Sequence, residues 1–119
     1  MKHPTFASET LLMTLKIFER WDIPKEEWDL LLGASLKNLI GHDDVDSLIT
    51  DDLIKRTTTL LNIYKALGNL FPHDRDLAHE WIKQKNRAFD QKSPAELIKL
   101  HGLIGIQEIE SYLMDAIHR

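Results

Sequence analysis

Apolar side chains recur along this chain at three- and four-residue intervals, with no convincing run of strict alternation. That is the spacing of helix faces rather than of half-buried strands. Leu11, Leu12, Leu15, Phe18 and Trp21 define a first helix, with Ser8 as its predicted cap and Glu9 in its first turn. Asp22-Ile23-Pro24 ends it, because a proline steers the residue before it away from helical backbone. Pro24 then opens a second helix, with Glu26 and Glu27 near its positive end and Trp28, Leu31 and Leu32 on its apolar face. Gly33-Ala34-Ser35 predicts a tight turn, and Leu36 to about Ile40 a short third helix.

Residues 41–52 hold five aspartates and no Lys or Arg, the composition of a solvated loop. Thr50 is the predicted cap of a long helix to about Gly68, with Leu53, Thr57, Leu60, Leu61, Tyr64 and Leu67 on one face. Phe71-Pro72 closes that stretch. Asp74 or Asp76 starts a helix through Leu77, Ala78, Trp81 and Ile82, and the spacing puts Trp81 in the core. No periodicity runs through 85–92. Ser93-Pro94-Ala95-Glu96 is a strong helix start: Ser93 caps, Pro94 fits the first turn, and Glu96 completes a capping box. Gly102 and Gly105 punctuate the last connection, before a final amphipathic helix carrying Ile106, Ile109, Tyr112, Leu113, Ala116 and Ile117. The expectation is an all-α fold. An N-terminal helix-turn-helix-like lobe (1–50) precedes a C-terminal helical lobe (51–119), with shared contacts through the long helix.

Composition narrows the function more than the fold. At 119 residues, 43% apolar and 29% charged, the chain reads as one ordinary globular domain. It lacks cysteine, so disulfides and thiolate chemistry are excluded. Leu11, Leu12 and Met13 are followed at once by Thr14 and Lys16, which leaves no signal-peptide core and no membrane span; a cytoplasmic location is expected. The net charge of −4 comes from the first half: residues 1–60 carry seven Lys/Arg against eleven Asp/Glu, and residues 61–119 carry eight of each.

Six histidines raise the question of a metal. The densest cluster, His42 with Asp43, Asp44 and Asp46, sits in the acidic loop, where nothing enforces convergence on one point. His79-Glu80 lacks the second histidine of a zinc-protease motif. No metal or cofactor is expected. There is no phosphate-cradling glycine loop and no nucleophile with a base beside it, so no enzyme is expected either. The turn at 33–35 has helix-turn-helix shape, but the helix that would read DNA offers only Lys37 and Asn38 before a run of aspartates. Trp21 and Trp28 flank the Asp22–Pro24 break and are expected to brace the first two helices. Phe89, with Lys85, Asn86 and Arg87 around it, either folds back as a plug or meets a partner.

Two blocks resemble the Xre/MbcA/ParS-type antitoxins. The first is Leu15-Lys16-Ile17-Phe18-Glu19-Arg20-Trp21 with Trp28-Asp29-Leu30-Leu31-Leu32-Gly33-Ala34-Ser35, similar to that family's Xre-like N-terminal region. The second resembles its toxin-binding domain. It comprises Ile63–Leu67, Leu70-Phe71-Pro72, Leu77-Ala78, Trp81-Ile82, Asn86, Phe89, Ser93–Ile98 and Tyr112-Leu113, in the family's order.

The resemblance implies an antitoxin of a type II toxin–antitoxin system. Its partner would be a RES-domain toxin that consumes NAD or transfers ADP-ribose, with the toxin's active site obstructed. It also implies a homodimer through the N-terminal lobe and repression of the protein's own operator. The alternatives are a DNA-binding regulator as the main role, or a diverged adaptor. By resemblance, the toxin-facing residues are Asn86, Phe89, Ser93, Pro94, Tyr112 and Arg119; Ser93, Pro94 and Glu96 also have the purely structural capping role. Lys37 and Asn38 are the DNA-facing candidates. The chain departs from the family in carrying Lys85 for a proline, Asp90-Gln91 where a glycine is common, His101-Gly102 for a glycine pair, and His42 among aspartates.

Overall fold

In the computed structural model, which describes residues 6–40 and 44–119, six helices pack around one long one. They are α1 (Phe6–Arg20), α2 (Trp28–Leu32), α3 (Leu36–Leu39), α4 (Asp51–Leu70), α5 (Arg75–Glu80), α6 (Pro94–His101) and α7 (Leu103–Ile117). Among the described residues there is no strand, only a single bridge between Asn86 and Lys92.

Helix α4 starts where its sequence says. The Thr50 hydroxyl accepts the Leu53 N–H at 3.1 Å, with Asp51 and Asp52 in the positive first turn. Helix α1 packs on one side of it and α7 on another. The buried set of Leu53, Thr57, Leu60, Ile63, Ala66 and Leu67 is therefore wider than a single stripe. The predicted face contained Leu61 and Tyr64, which are half-buried, and omitted Ile63 and Ala66, which are fully buried. Thr57 is tolerated inside because its hydroxyl donates to the Leu53 carbonyl at 2.9 Å.

Helix α1 already runs from Phe6, so Ser8 lies inside it and is not its cap. At its far end Trp21 and Trp28 are both buried and bracket Phe18, whose ring lies 6.3 Å from Trp21 and 5.9 Å from Trp28. The Trp28 indole N–H donates to the Ile23 carbonyl at 2.9 Å. After Pro24 the chain first makes a tight 3₁₀ turn, Lys25–Glu27, and only then α2. The predicted turn at 33–35 forms: Gly33 adopts φ +65° and the Ser35 hydroxyl accepts from Asn38. Helices α2 and α3 are only five and four residues long.

One hydrophobic core takes side chains from both halves of the chain, from Leu11 to Leu113. Arg56 on α4 ties those halves together. Its guanidinium donates to the Leu31 carbonyl at 3.3 Å and pairs with Asp52 at 2.8 Å. It also lies against the glycines that end α2 and α6. A Cβ on Gly33 would fall 2.5 Å from the Arg56 Cζ, and one on Gly102 would fall 2.8 Å from a guanidinium nitrogen. A cation at two helix C-termini faces the negative ends of both. Lys99 on α6 adds an ion pair with Glu27. Helix α7 crosses α6 at Gly105, where a Cβ would meet the Leu97 carbonyl oxygen at 2.6 Å.

A candidate protein-binding groove

Helix α5, capped by Asp74 through the Leu77 N–H at 3.0 Å, gives way after Glu80 to a 3₁₀ turn, Trp81–Lys83. Trp81 is consequently half-buried at the core's edge rather than inside it. The aperiodic segment that follows is closed on itself by Asn86. The Asn86 side-chain oxygen accepts from Ala88 at 2.9 Å, its N–H donates to Lys92 at 3.1 Å, and its carbonyl accepts from both Phe89 and Gln91 at 3.0 Å. This loop turns back through Asp90 at φ +55° and Gln91 at φ +65°. This is the stretch where the resemblance leads one to expect a glycine. Ser93 then forms the full capping box with Glu96, and Ser93, Pro94 and Ala95 are all buried.

The consequence is the placement of Phe89. Of the two roles left open by the sequence, the side chain takes the inward one, at 8% exposure. Its ring meets Tyr112 on α7 edge-to-face at 5.3 Å and Trp81 at 6.4 Å. Trp81 and Tyr112 stack at 6.1 Å and 18°. Aromatic pairs at these separations contribute about 0.5–1.5 kcal/mol each beyond their buried area. The three rings thus form a rigid block at the protein surface. Beside it runs a shallow groove of about 510 Å³, lined by Phe89 and Ala88 from the loop and by Ile104, Gln107, Glu108, Ser111 and Tyr112 from α7.

Ile104 is 66% exposed and Tyr112 is 37% exposed, and both line the groove over the Phe89 ring. Exposed apolar residues around preorganised rings are the anatomy of a protein-binding hot spot. Phe89 and Tyr112 are therefore brought together. Asn86, Ser93 and Pro94 build the loop and helix start behind them, while Arg119 lies exposed beyond the end of α7 and does not line the groove. Ile104 was not singled out in the sequence. Its signal was there: it stands two residues before Ile106, so both cannot share one helix face.

Lys37 and Asn38 are exposed on α3, away from the groove. His42 and Asp43 of the candidate metal cluster lie outside the described residues. Among the described residues no three His, Asp or Glu groups converge as a metal site, and no helix is long and apolar enough to cross a membrane. His79 stacks on Tyr64 at 6.1 Å.

The fold and groove give an all-helical module with aromatic and apolar side chains exposed at one surface groove. Residues 66–117 match the family model described as antitoxin Xre/MbcA/ParS C-terminal toxin-binding domain. The match covers the last quarter of α4 through α7, and so the whole groove. It supports an antitoxin role in a toxin–antitoxin system, with a toxin as partner and a regulatory rather than a catalytic task. No match was found among curated proteins or solved structures.

Proposed function

We propose that this protein is an antitoxin that neutralises a RES-domain, NAD-consuming toxin by occupying its active-site entrance with the groove between the 86–92 loop and α7. The match of residues 66–117 to a toxin-binding domain carries the antitoxin reading. The choice of a RES-domain partner rests on the resemblance of the two sequence blocks to the Xre/MbcA/ParS-type antitoxins, in that family's order and at about its spacing. The choice of surface rests on Ile104 and Tyr112, apolar and exposed where they line the groove with Phe89. Binding there stabilises a blocked complex through buried area around a few anchors, with no chemistry asked of the antitoxin.

Dimerisation through the N-terminal half belongs to the same proposal. That half exposes Leu12, Met13, Leu30 and Ile40. No observation favours operator binding as a second reading. Helix α3 offers one cation, Lys37, while Asp44, Asp46, Asp51 and Asp52 follow it closely in the chain. DNA affinity rests largely on cations against phosphates.

The test is co-expression with the RES-domain protein encoded beside it, read by pull-down and by cellular NAD. A stable complex with restored NAD is expected. Ile104→Asp should keep the fold, since the side chain is 66% exposed, and should abolish capture and rescue. An Ile104→Asp protein that still rescues would move the interface elsewhere, and failure of the unaltered chain to form a complex would remove the RES partner.

A further inference from the structure

A second cavity lies at the opposite end of α4 from Thr50, where the end of α1, the last turns of α4 and the start of α5 meet. It encloses about 540 Å³ and is lined by Arg20, Tyr64, Gly68, Phe71, Arg75 and His79, with Leu67 and Ala78 on its apolar side. That volume falls within the range of about 300–1,000 Å³ typical of small-molecule sites. We infer that this cleft binds a small phosphate monoester with a flat apolar body, a site separate from the toxin-binding groove.

Three observations carry this inference. The first is charge. The chain has a net charge of −4, yet two arginines and a histidine line this cleft and no carboxylate does. Two guanidiniums match a dianion better than a monoanion, which favours phosphate over carboxylate; arginine's planar fork also suits phosphate oxygens.

The second is preorganisation. Arg20 donates to the Tyr64 hydroxyl at 2.6 Å and its guanidinium sits 5.6 Å from the Tyr64 ring centre. Tyr64 is held in turn by His79, stacked at 6.1 Å, and by Trp21 at 6.3 Å. One Arg20 N–H is used in this hold, and the guanidinium has further donors for a ligand.

The third is Gly68. It lies in the last turn of α4, where glycine still costs up to about 1 kcal/mol relative to alanine. Its backbone does not adopt a positive φ, and a Cβ built on it would meet nothing within 4 Å. Neither backbone conformation nor packing calls for glycine there. A side chain at 68 would instead stand in the cleft, so glycine keeps the cleft open.

The test uses the full chain at low ionic strength, because exposed guanidiniums are screened by salt. Phenyl phosphate is titrated by amide NMR, with benzoate, phenol and inorganic phosphate as comparators. Phenyl phosphate should give saturable shifts around residues 64–79 and bind at least about tenfold more tightly than benzoate or phenol, a difference of about 1.4 kcal/mol. Arg20→Gln and Arg75→Gln should each weaken it several-fold. Gly68→Leu should abolish binding while melting no lower than the unaltered protein. The absence of saturable shifts, equal affinity for benzoate, or undiminished binding to Gly68→Leu would each overturn the proposal. So would arginine variants that lose toxin capture while phenyl phosphate gives no shifts in the unaltered chain, since the cleft would then be a protein contact.

Discussion

Gly105→Ala adds one methyl group where α7 crosses α6. The new Cβ would fall 2.6 Å from the Leu97 carbonyl oxygen, 3.0 Å from its carbonyl carbon and 3.4 Å from the Ile98 Cα. All three are backbone atoms of α6, so no side chain can swing aside; the helices themselves must part. Overpacking of this kind costs about 1–3 kcal/mol, and a backbone obstacle puts it near the upper end. Alanine recovers up to about 1 kcal/mol of helix propensity, less in a first turn. The net expectation is a loss of about 2 kcal/mol, which for a chain of this size lowers the melting temperature by roughly 8 °C. Urea and thermal unfolding followed by circular dichroism would measure it. Gly68→Ala is the internal control, because its Cβ meets nothing within 4 Å; it should gain up to about 1 kcal/mol. If both variants move the same way, propensity governs both sites and the close approach of α6 and α7 is not what the geometry says.

Phe89→Ala should cost about 3 kcal/mol of stability, the lower end for a buried phenylalanine, because the ring is 8% exposed and supports Tyr112. It should also weaken toxin capture, since the groove loses part of its lining; a variant of unchanged urea midpoint would show that the ring is dispensable to the block. Gln91→Gly relieves a side chain at φ +65° and should raise stability by about 0.5–1 kcal/mol, once the greater freedom of the unfolded glycine chain is allowed for. A lower melting temperature would mean that the Gln91 side chain is needed in the loop. Ser93→Ala removes a buried capping hydroxyl that accepts from Glu96 at 3.1 Å and should cost about 1 kcal/mol in the same assay.

What could be read from the sequence was what is settled within a few residues. Thr50, Asp74 and Ser93 announce helix starts because a cap needs only the next three residues. Ser8 misled for the same reason, since it has a cap's chemistry while the helix had already begun at Phe6. Periodicity found one face of α4 but not Ile63 and Ala66, because a helix covered by both α1 and α7 is buried over a wider arc than one stripe. Spacing alone puts Trp81 in the core, because the pattern cannot show that α5 stops at Glu80. Phe89 was undecidable, since its direction is set by the closed Asn86 loop and by Tyr112, distant in sequence. Arg56 drew no notice at all. Its partners are the glycine ends of two other helices, which no local pattern links to it.

The segment that matches the toxin-binding family model starts at residue 66, in the last quarter of α4. The unit that recurs between proteins is therefore not the unit that unfolds. Cut out at that point, the segment would leave behind most of the helix on which α7 rests, and Arg56 with it. Grafting a foreign 66–117 segment to redirect this protein to another toxin would face the same constraint from the other side. The incoming segment must supply glycine at position 102, where φ is +59° and the Arg56 guanidinium also packs close. Any such exchange is limited by a helix junction that lies outside the proposed binding groove.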